Sequence, residues 1–307
     1  MKEEYHKLND GSRMPRLGMG TWYLGENKAA RKQEIEALRA GIHAGCSLID
    51  TAEMYGSGKS EQLIGEAIKG IDRSSLFIVS KVYPHNAGRA HIFDALDRSL
   101  RNLRTEYLDL YLLHWRGQVP LRETVECMEQ LVKEGKIRRW GVSNFDTDDM
   151  EELFSVKNGD HCAVNQVLYH LGSRGVEYDL MPWLEEHHVP LMAYCPLAQG
   201  GDLRRGLLNN KAVQMVAEQR HITAMQVLLA FVLHHENVIA IPRSGNGCTI
   251  THTLCYRAAK QIQLIRICHS NHQICSVNTC FSLNLITGTI SYNSHNIIHI
   301  CQCLKPF

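Results

Sequence analysis

The sequence predicts an α/β protein in which eight parallel strands and their helices form a single (β/α)8 TIM barrel. Eight short apolar runs alternate with amphipathic segments of helical spacing. Runs that are apolar throughout are typical of strands buried on both faces in a parallel sheet. Several of these runs end in a polar side chain, and a barrel gathers such strand ends at one mouth. A chain of 307 residues suits one such domain.

The elements follow in order after an N-terminal β-hairpin, which the turn-forming pair Asp10-Gly11 predicts between Tyr5 and Pro15. Ser60 precedes an apolar stripe and is a candidate N-cap for the second helix. The predicted strands are 16–22, 46–51, 76–82, 108–113, 137–142, 162–168, 189–194 and 237–241. The predicted helices are 32–44, 60–69, 91–103, 122–133, 148–154, 180–187, 211–219 and 224–234.

The composition and the N-terminal sequence argue against several classes of partner and location. The formal net charge of +1 provides no basic field, which argues against nucleic acid and acidic membrane surfaces as partners. The N-terminal residues lack the apolar centre of a signal peptide, and no later run approaches the roughly 20 apolar residues of a membrane span. We therefore expect a soluble cytoplasmic protein, with an oligomeric state that the sequence leaves open.

The pattern changes after Asn246. Residues 247–307 contain seven of the eleven cysteines and no Asp or Glu, and they show no amphipathic stripe. We expect a barrel over 1–246 and an anomalous tail over 247–307, in which the eighth helix is missing or replaced. A shifted reading frame and genuine divergence both explain this tail. A Cys/His metal module is disfavoured because no pair of C-x2-C knuckles is present, so we predict no metal site.

Four polar residues at successive strand ends suggest proton chemistry. Taken singly, Asp50, Tyr55, Lys81 and His114 each have an ordinary structural explanation, such as a turn cap or a solvated side chain. Together they can form a general acid, because an ammonium near a tyrosine favours the phenolate and lowers the pKa of the phenol. Asp50 would hold Lys81 in place, and His114 would orient a carbonyl oxygen. This set predicts a proton donor aimed at a carbonyl.

Seven motifs in a fixed order make the sequence similar to the aldo-keto reductase family over about positions 8 to 246. The motifs are Asp50-Thr-Ala-Glu-Met-Tyr-Gly56, Val79-Ser-Lys-Val, Leu112-Leu-His-Trp, Gly141-Val-Ser-Asn-Phe145, Val164-Asn-Gln-Val-Leu-Tyr-His170, Ala193-Tyr-Cys-Pro-Leu197 and Ile241-Pro-Arg-Ser244. The resemblance implies a reductase in which NADPH delivers a hydride. The whole chain looks most like the bacterial branch that reduces small aldehydes such as methylglyoxal.

The resemblance also implies a cofactor site. Ser143, Asn144 and Gln166 would bind the nicotinamide carboxamide, Tyr194 would stack on the ring, and Arg243 would pair with the 2′-phosphate. The full implied set of cofactor contacts is Gly20, Thr21, Trp22, Asp50, Ser143, Asn144, Gln166, Tyr194, Pro196, Leu197, Arg243, Ser244 and Asn246. Trp22 and Trp115 would be apolar walls for the substrate, or ordinary packing residues.

Some positions depart from the family pattern. Cys195 stands where many members have serine near the cofactor phosphates. Thr249, His252 and Thr253 replace the residues that usually clasp the adenosine half, so we expect NADPH to bind more weakly than in intact relatives. Two alternatives to an active reductase stay open, namely a non-catalytic nucleotide-binding barrel and an inactive product of a damaged reading frame. Arg116 is either a contact for carboxylated or dicarbonyl substrates or a solvated loop residue.

Overall fold

A closed parallel barrel forms the centre of the protein in a computed structural model that describes residues 4–245, 265–268 and 273–276. The strands lie in sequence order. The closing contact joins the first and last strands of the barrel, where Ala240 N donates to Arg16 O at 2.9 Å and Gly20 N donates to Pro242 O at 3.0 Å. The barrel strands are β3 (Gly18–Gly20), β4 (Leu48–Asp50), β5 (Phe77–Val82), β6 (Leu110–Leu113), β7 (Trp140–Ser143), β8 (Asn165–Leu168), β9 (Leu191–Tyr194) and β10 (Val238–Ile241). The predicted TIM barrel is confirmed.

The predicted N-terminal hairpin is also confirmed, and it covers the N-terminal mouth of the barrel. It pairs β1 (Tyr5–Lys7) with β2 (Arg13–Pro15) in antiparallel register. Leu8 and Met14 from this hairpin are buried in the same cluster as the inward side chains of the strands. The opposite mouth is thereby left as the place for a site.

Strand alternation decides which side chains reach the barrel interior. Successive strand residues point to opposite faces. Leu110 and Leu112 belong to the interior cluster, whereas Tyr111 and Leu113 pack with the surrounding helices. The same alternation in β4 and β5 directs Asp50 and Lys81 inward at the C-terminal end of the barrel.

The outer layer consists of helices that pack on the strands. They are α1 (Arg31–His43), α2 (Lys59–Ala67), α3 (Ile92–Leu103), α4 (Leu121–Lys133), α5 (Thr147–Ser155), α6 (Leu180–Glu186), α7 (Gly201–Leu208), α8 (Lys211–Arg220) and α9 (Ala224–Leu233). The sequence did not predict α7, because this helix has only eight residues, two of them glycine, and buries none of them.

Two details of α2 differ from the prediction. The helix begins at Lys59, and its N-cap is Gly58, a residue in the left-handed region with φ of 86°. Ser60 therefore lies inside the first turn, and the prediction that it caps the helix is wrong. Its hydroxyl instead forms hydrogen bonds with Thr21 and Thr51.

The predicted absence of an eighth helix and the predicted contact Asn246 lie outside the described residues, as do Thr249, His252 and Thr253. Within 247–307 the structure describes only β11 (Ile265–Cys268) and β12 (Gln273–Ser276), which pair antiparallel. The division into a barrel over 1–246 and an anomalous tail stays a prediction. In the described part of the chain no helix is long and apolar enough to span a bilayer, and no group of three His, Cys, Asp or Glu could hold a metal ion.

Candidate active site

A cavity of about 380 Å³ opens at the C-terminal ends of the barrel strands. Most residues singled out from the sequence line it. They are Gly20, Thr21, Trp22, Asp50, Tyr55, His114, Trp115, Ser143, Asn144, Gln166, Tyr194, Pro196, Leu197 and Arg243. Lys81 lies beneath the floor with no exposed surface. Ser244 is half-buried beyond Arg243 and is not part of the lining.

The floor is built on a buried ion pair between neighbouring strands. Lys81 Nζ lies 2.8 Å from Asp50 Oδ1 and 2.9 Å from Oδ2, and it also donates to the carbonyl oxygen of Thr51 at 2.8 Å. Burial by itself lowers the pKa of Lys81, but the Asp50 carboxylate outweighs this effect and holds the pKa above its usual value. The ammonium is therefore charged and fixed in position.

Tyr55 stands directly over this ammonium, on the turn that follows β4. Lys81 Nζ donates to the phenolic oxygen at 3.3 Å, which leaves the phenolic proton available to a ligand in the cavity. The Lys81 charge lowers the pKa of Tyr55 as expected, but it does not set the net direction of the shift. Partial burial at the cavity floor raises the pKa more than the Lys81 charge lowers it, so the phenol stays protonated near neutral pH.

His114 faces Tyr55 across the floor, just after β6. The two ring centroids are 5.8 Å apart. Burial and, secondarily, the charge of Lys81 lower the pKa of His114 to about 3, so the imidazole is neutral. Its Nδ1 atom is buried and has no hydrogen-bond partner among the described residues. A neutral imidazole beside a phenol is suited to orient a carbonyl oxygen.

Amide and hydroxyl groups from β7, β8 and β9 form the wall beside this floor. Tyr194 Oη donates to Asn144 Oδ1 at 2.9 Å, and Asn144 Nδ2 donates to the carbonyl oxygen of His114 at 3.0 Å. Gln166 Nε2 donates to Asp50 Oδ1 at 2.8 Å, which ties this wall to the ion pair. The predicted carboxamide contacts thus share one hydrogen-bond network with the predicted proton donor.

Aromatic and apolar side chains form the outer rim. Trp22 stacks on Tyr23 with centroids 4.4 Å apart, and Trp115 lies 4.8 Å from the His114 ring. Tyr23 and Met54 line the cavity while remaining exposed. These two residues were not predicted from the sequence, although their positions beside Trp22 and Tyr55 were an available signal.

Two arginines flank the cavity on the side of β9 and β10. Arg243 is exposed and lies 5.9 Å from the Tyr23 ring, and Arg204 on α7 lines the cavity near Cys195. Burial raises the pKa of the Cys195 thiol, and the Arg204 charge opposes that shift. Over residues 4–245 neither arginine has a carboxylate partner. Arg204 was not predicted because it lies on α7, the helix that the sequence did not predict.

Arg116 differs from these two arginines. It is outside the cavity lining and forms a two-point ion pair with Glu152, with Nε–Oε2 and Nη2–Oε1 distances of 3.2 and 3.0 Å. The suggestion that it contacts substrate is therefore not supported by its position.

Comparison with known proteins agrees with this arrangement. The Aldo/keto reductase family matches residues 16–268. The methylglyoxal reductase YeaE of Escherichia coli (strain K12) is 52% identical over 264 residues, which cover 86% of this chain and 92% of that protein. The glyoxal reductase of Bacillus subtilis (strain 168) is 36% identical over 241 residues, covering 78% and 81%.

A solved structure is similar in fold as well. The aldo-keto reductase from Klebsiella pneumoniae in complex with NADPH superposes with a TM-score of 0.81 at 48% identity, and the alignment covers 93% of this chain and 95% of that one. The family match, the identity to these relatives and the shared barrel lead to one conclusion: the chain belongs to the aldo/keto reductase family.

Proposed function

We propose that this protein reduces small aldehydes or dicarbonyls of the methylglyoxal type to alcohols, with NADPH as the hydride donor. The observation that carries the proposal is the Tyr55 hydroxyl, which lies 3.3 Å from an ammonium that Asp50 fixes, at the floor of a cavity that His114 also lines. The names of the relatives, methylglyoxal reductase and glyoxal reductase, support the substrate class.

The residues around the cavity suit NADPH. Asn144 and Gln166 present amides that match a carboxamide, and Tyr194 offers a ring for the nicotinamide to stack on. Arg243, followed by Ser244, can pair with the 2′-phosphate, since a guanidinium binds phosphate at two points. An arginine without a carboxylate partner is a natural contact for such an anion. The bound cofactor supplies the hydride.

The protein's own part in the reaction is to supply a proton and to stabilise charge. As the carbonyl oxygen gains negative charge, the O–H bond of Tyr55 breaks and its proton passes to that oxygen, which yields the alcohol. Lys81 stabilises the phenolate that remains, because its ammonium is already in contact with the phenolic oxygen. His114, held neutral, orients the carbonyl oxygen beside the phenol.

The walls of the cavity suit a small substrate. Trp22 and Trp115 enclose the carbonyl with apolar surface, which excludes water from the developing charge. The floor carries no charge beyond the Lys81–Asp50 pair, whose charges cancel. Small aldehydes and dicarbonyls therefore fit this floor better than large ones.

The direct test is NADPH oxidation by the full chain in the presence of methylglyoxal, followed by NADPH absorbance. We expect oxidation that depends on both the aldehyde and the protein, and slower oxidation of NADH at equal concentration. Tight NADPH binding without aldehyde-dependent oxidation would instead support a non-catalytic nucleotide-binding barrel.

A further inference from the structure

The loop that carries Tyr55 is closed at its base by side-chain hydroxyls. Thr51 follows β4 directly and Ser60 lies in the first turn of α2, so the two residues bracket the loop. Thr51 Oγ1 donates to Ser60 Oγ at 3.2 Å across nine positions of sequence. Loops of this length with their ends in contact form compact units.

The hydrogen bond between Thr51 and Ser60 is one link in a directed chain of three hydroxyls. Ser60 Oγ donates to Thr21 Oγ1 at 2.8 Å, and Thr21 Oγ1 donates to the carbonyl oxygen of Asp50 at 2.8 Å. Ser60 Oγ also lies 3.1 Å from the carbonyl oxygen of Thr21, so its one proton is shared between two oxygens of Thr21. All three side chains have no exposed surface, so the bonds do not compete with water and polarise one another.

The loop needs such a closure because its backbone is irregular and contains one strained residue, Ser57. Gly56, Ser57 and Gly58, which follow Tyr55 directly, have φ values of 56°, 55° and 86°. Three consecutive left-handed residues form no regular structure, and Ser57 has a side chain that disfavours this region. Contacts outside the turn must therefore keep it in place.

The hydroxyl chain is linked at both ends to the backbone around the Lys81–Asp50 ion pair. The carbonyl oxygen of Thr51 accepts a bond from Lys81 Nζ, and the carbonyl oxygen of Asp50 accepts the bond from Thr21. Ser60, at the far end of the Tyr55 loop, is thus connected to Thr51 and Asp50, the two residues that position Lys81. Its hydroxyl is free for this task because Gly58 caps the helix.

We infer that Ser60 is a positioning residue for the proton donor, fixing the Tyr55 hydroxyl over Lys81 through the Thr51–Ser60–Thr21 hydroxyl chain. The inference rests on the proposed reductase function. Ser60 touches neither Tyr55 nor Lys81 through any hydrogen bond in the described residues, so it acts only through the loop.

The test compares Ser60→Ala with Ser99→Ala. Ser99 is an equally buried serine on the neighbouring helix α3, and its hydroxyl is not a member of the Thr51–Ser60–Thr21 chain. We expect Ser60→Ala to lower kcat for methylglyoxal about tenfold, because small displacements of a reacting group are costly. NADPH Kd should stay within about twofold, and Ser99→Ala should keep kcat within about twofold.

The pH profile separates positioning from a general loss of stability. A Tyr55 hydroxyl displaced from Lys81 loses the charge that favours its phenolate, so its pKa rises. The alkaline limb of kcat, where the donor loses its proton, should therefore move to higher pH in Ser60→Ala and not in Ser99→Ala. A variant that is merely less stable would keep the wild-type limb.

A second pair of variants, at Thr51, tests the same positioning role if Ser60→Ala does not fold. Thr51→Val removes the donor at nearly constant volume, and Thr51→Ser keeps it. We expect kcat to fall in Thr51→Val and to be largely restored in Thr51→Ser. Wild-type kcat in either Ser60→Ala or Thr51→Val overturns the inference alone, whereas a wild-type protein without NADPH-dependent activity overturns the proposed function and the inference with it.

Discussion

The inner and outer sides of the cavity differ in their exposure and in whether their charged groups are paired within the protein. The inner cluster, Asp50, Tyr55, Lys81 and His114, is buried or half-buried, and its charged groups are paired within the protein. The arginine rim, Arg204 and Arg243, is more exposed, and neither residue has a carboxylate partner in the described part of the chain. The proton chemistry is thus preorganised before a ligand arrives, whereas anion contacts form only on binding. Changes in the inner cluster should affect stability and kcat, and changes in the rim should affect cofactor affinity.

Lys81→Met should produce the largest effect. It leaves the Asp50 carboxylate buried without its partner, which costs about 3–5 kcal/mol of the free energy of unfolding. Urea unfolding measures this loss. Adding Asp50→Asn should recover part of it, because the unpaired charge is then removed. A Lys81→Met protein that is as stable as wild type would show that the pair does not form.

The pH dependence of stability tests the neutral state of His114. Its pKa is about 3 in the folded protein and close to 6.5 when unfolded, so the unfolded chain takes up a proton that the folded chain does not. The contribution to stability is complete above pH 6.5 and is lost as pH falls toward 3.

Between pH 7 and pH 5 this linkage should cost about 2 kcal/mol. Other buried histidines also contribute, so the comparison is with His114→Gln, whose free energy of unfolding should fall less over the same range. Equal slopes for the two proteins would mean that folding does not lower the pKa of His114.

Arg204→Met should have a smaller effect, confined to the cofactor. Arg204 lines the cavity without a carboxylate partner in the described residues, so we expect it to contact a phosphate of NADPH. Loss of that contact should raise NADPH Kd about tenfold, while kcat at saturating NADPH changes little. Arg205→Met is the matched control, because Arg205 is the next residue on α7, is exposed and pairs with Asp202. Equal NADPH affinity in the two variants would remove Arg204 from the cofactor site.

Local patterns in the sequence were sufficient to predict the parts of the site that depend on strand alternation. Asp50 and Lys81 follow interior residues at a spacing of two, which is enough to predict that both side chains point into the barrel. Arg204 was missed because α7 is a short helix with two glycines and no buried residue, and the sequence did not predict it. The role of Ser60 was misread because a serine at the start of a helix is commonly a cap, whereas its partner Thr21 is 39 positions away. The pKa of Tyr55 depends on burial, which only the folded chain determines.

The most direct test of this account is a comparison of wild type with Tyr55→Phe in methylglyoxal-dependent NADPH oxidation and in NADPH binding by protein fluorescence. The substitution removes the hydroxyl that lies over Lys81 and little else. We expect kcat to fall at least about 10²-fold, because the general acid is lost, while NADPH Kd stays within about twofold. Wild-type turnover by Tyr55→Phe would contradict the assignment of Tyr55 as the proton donor.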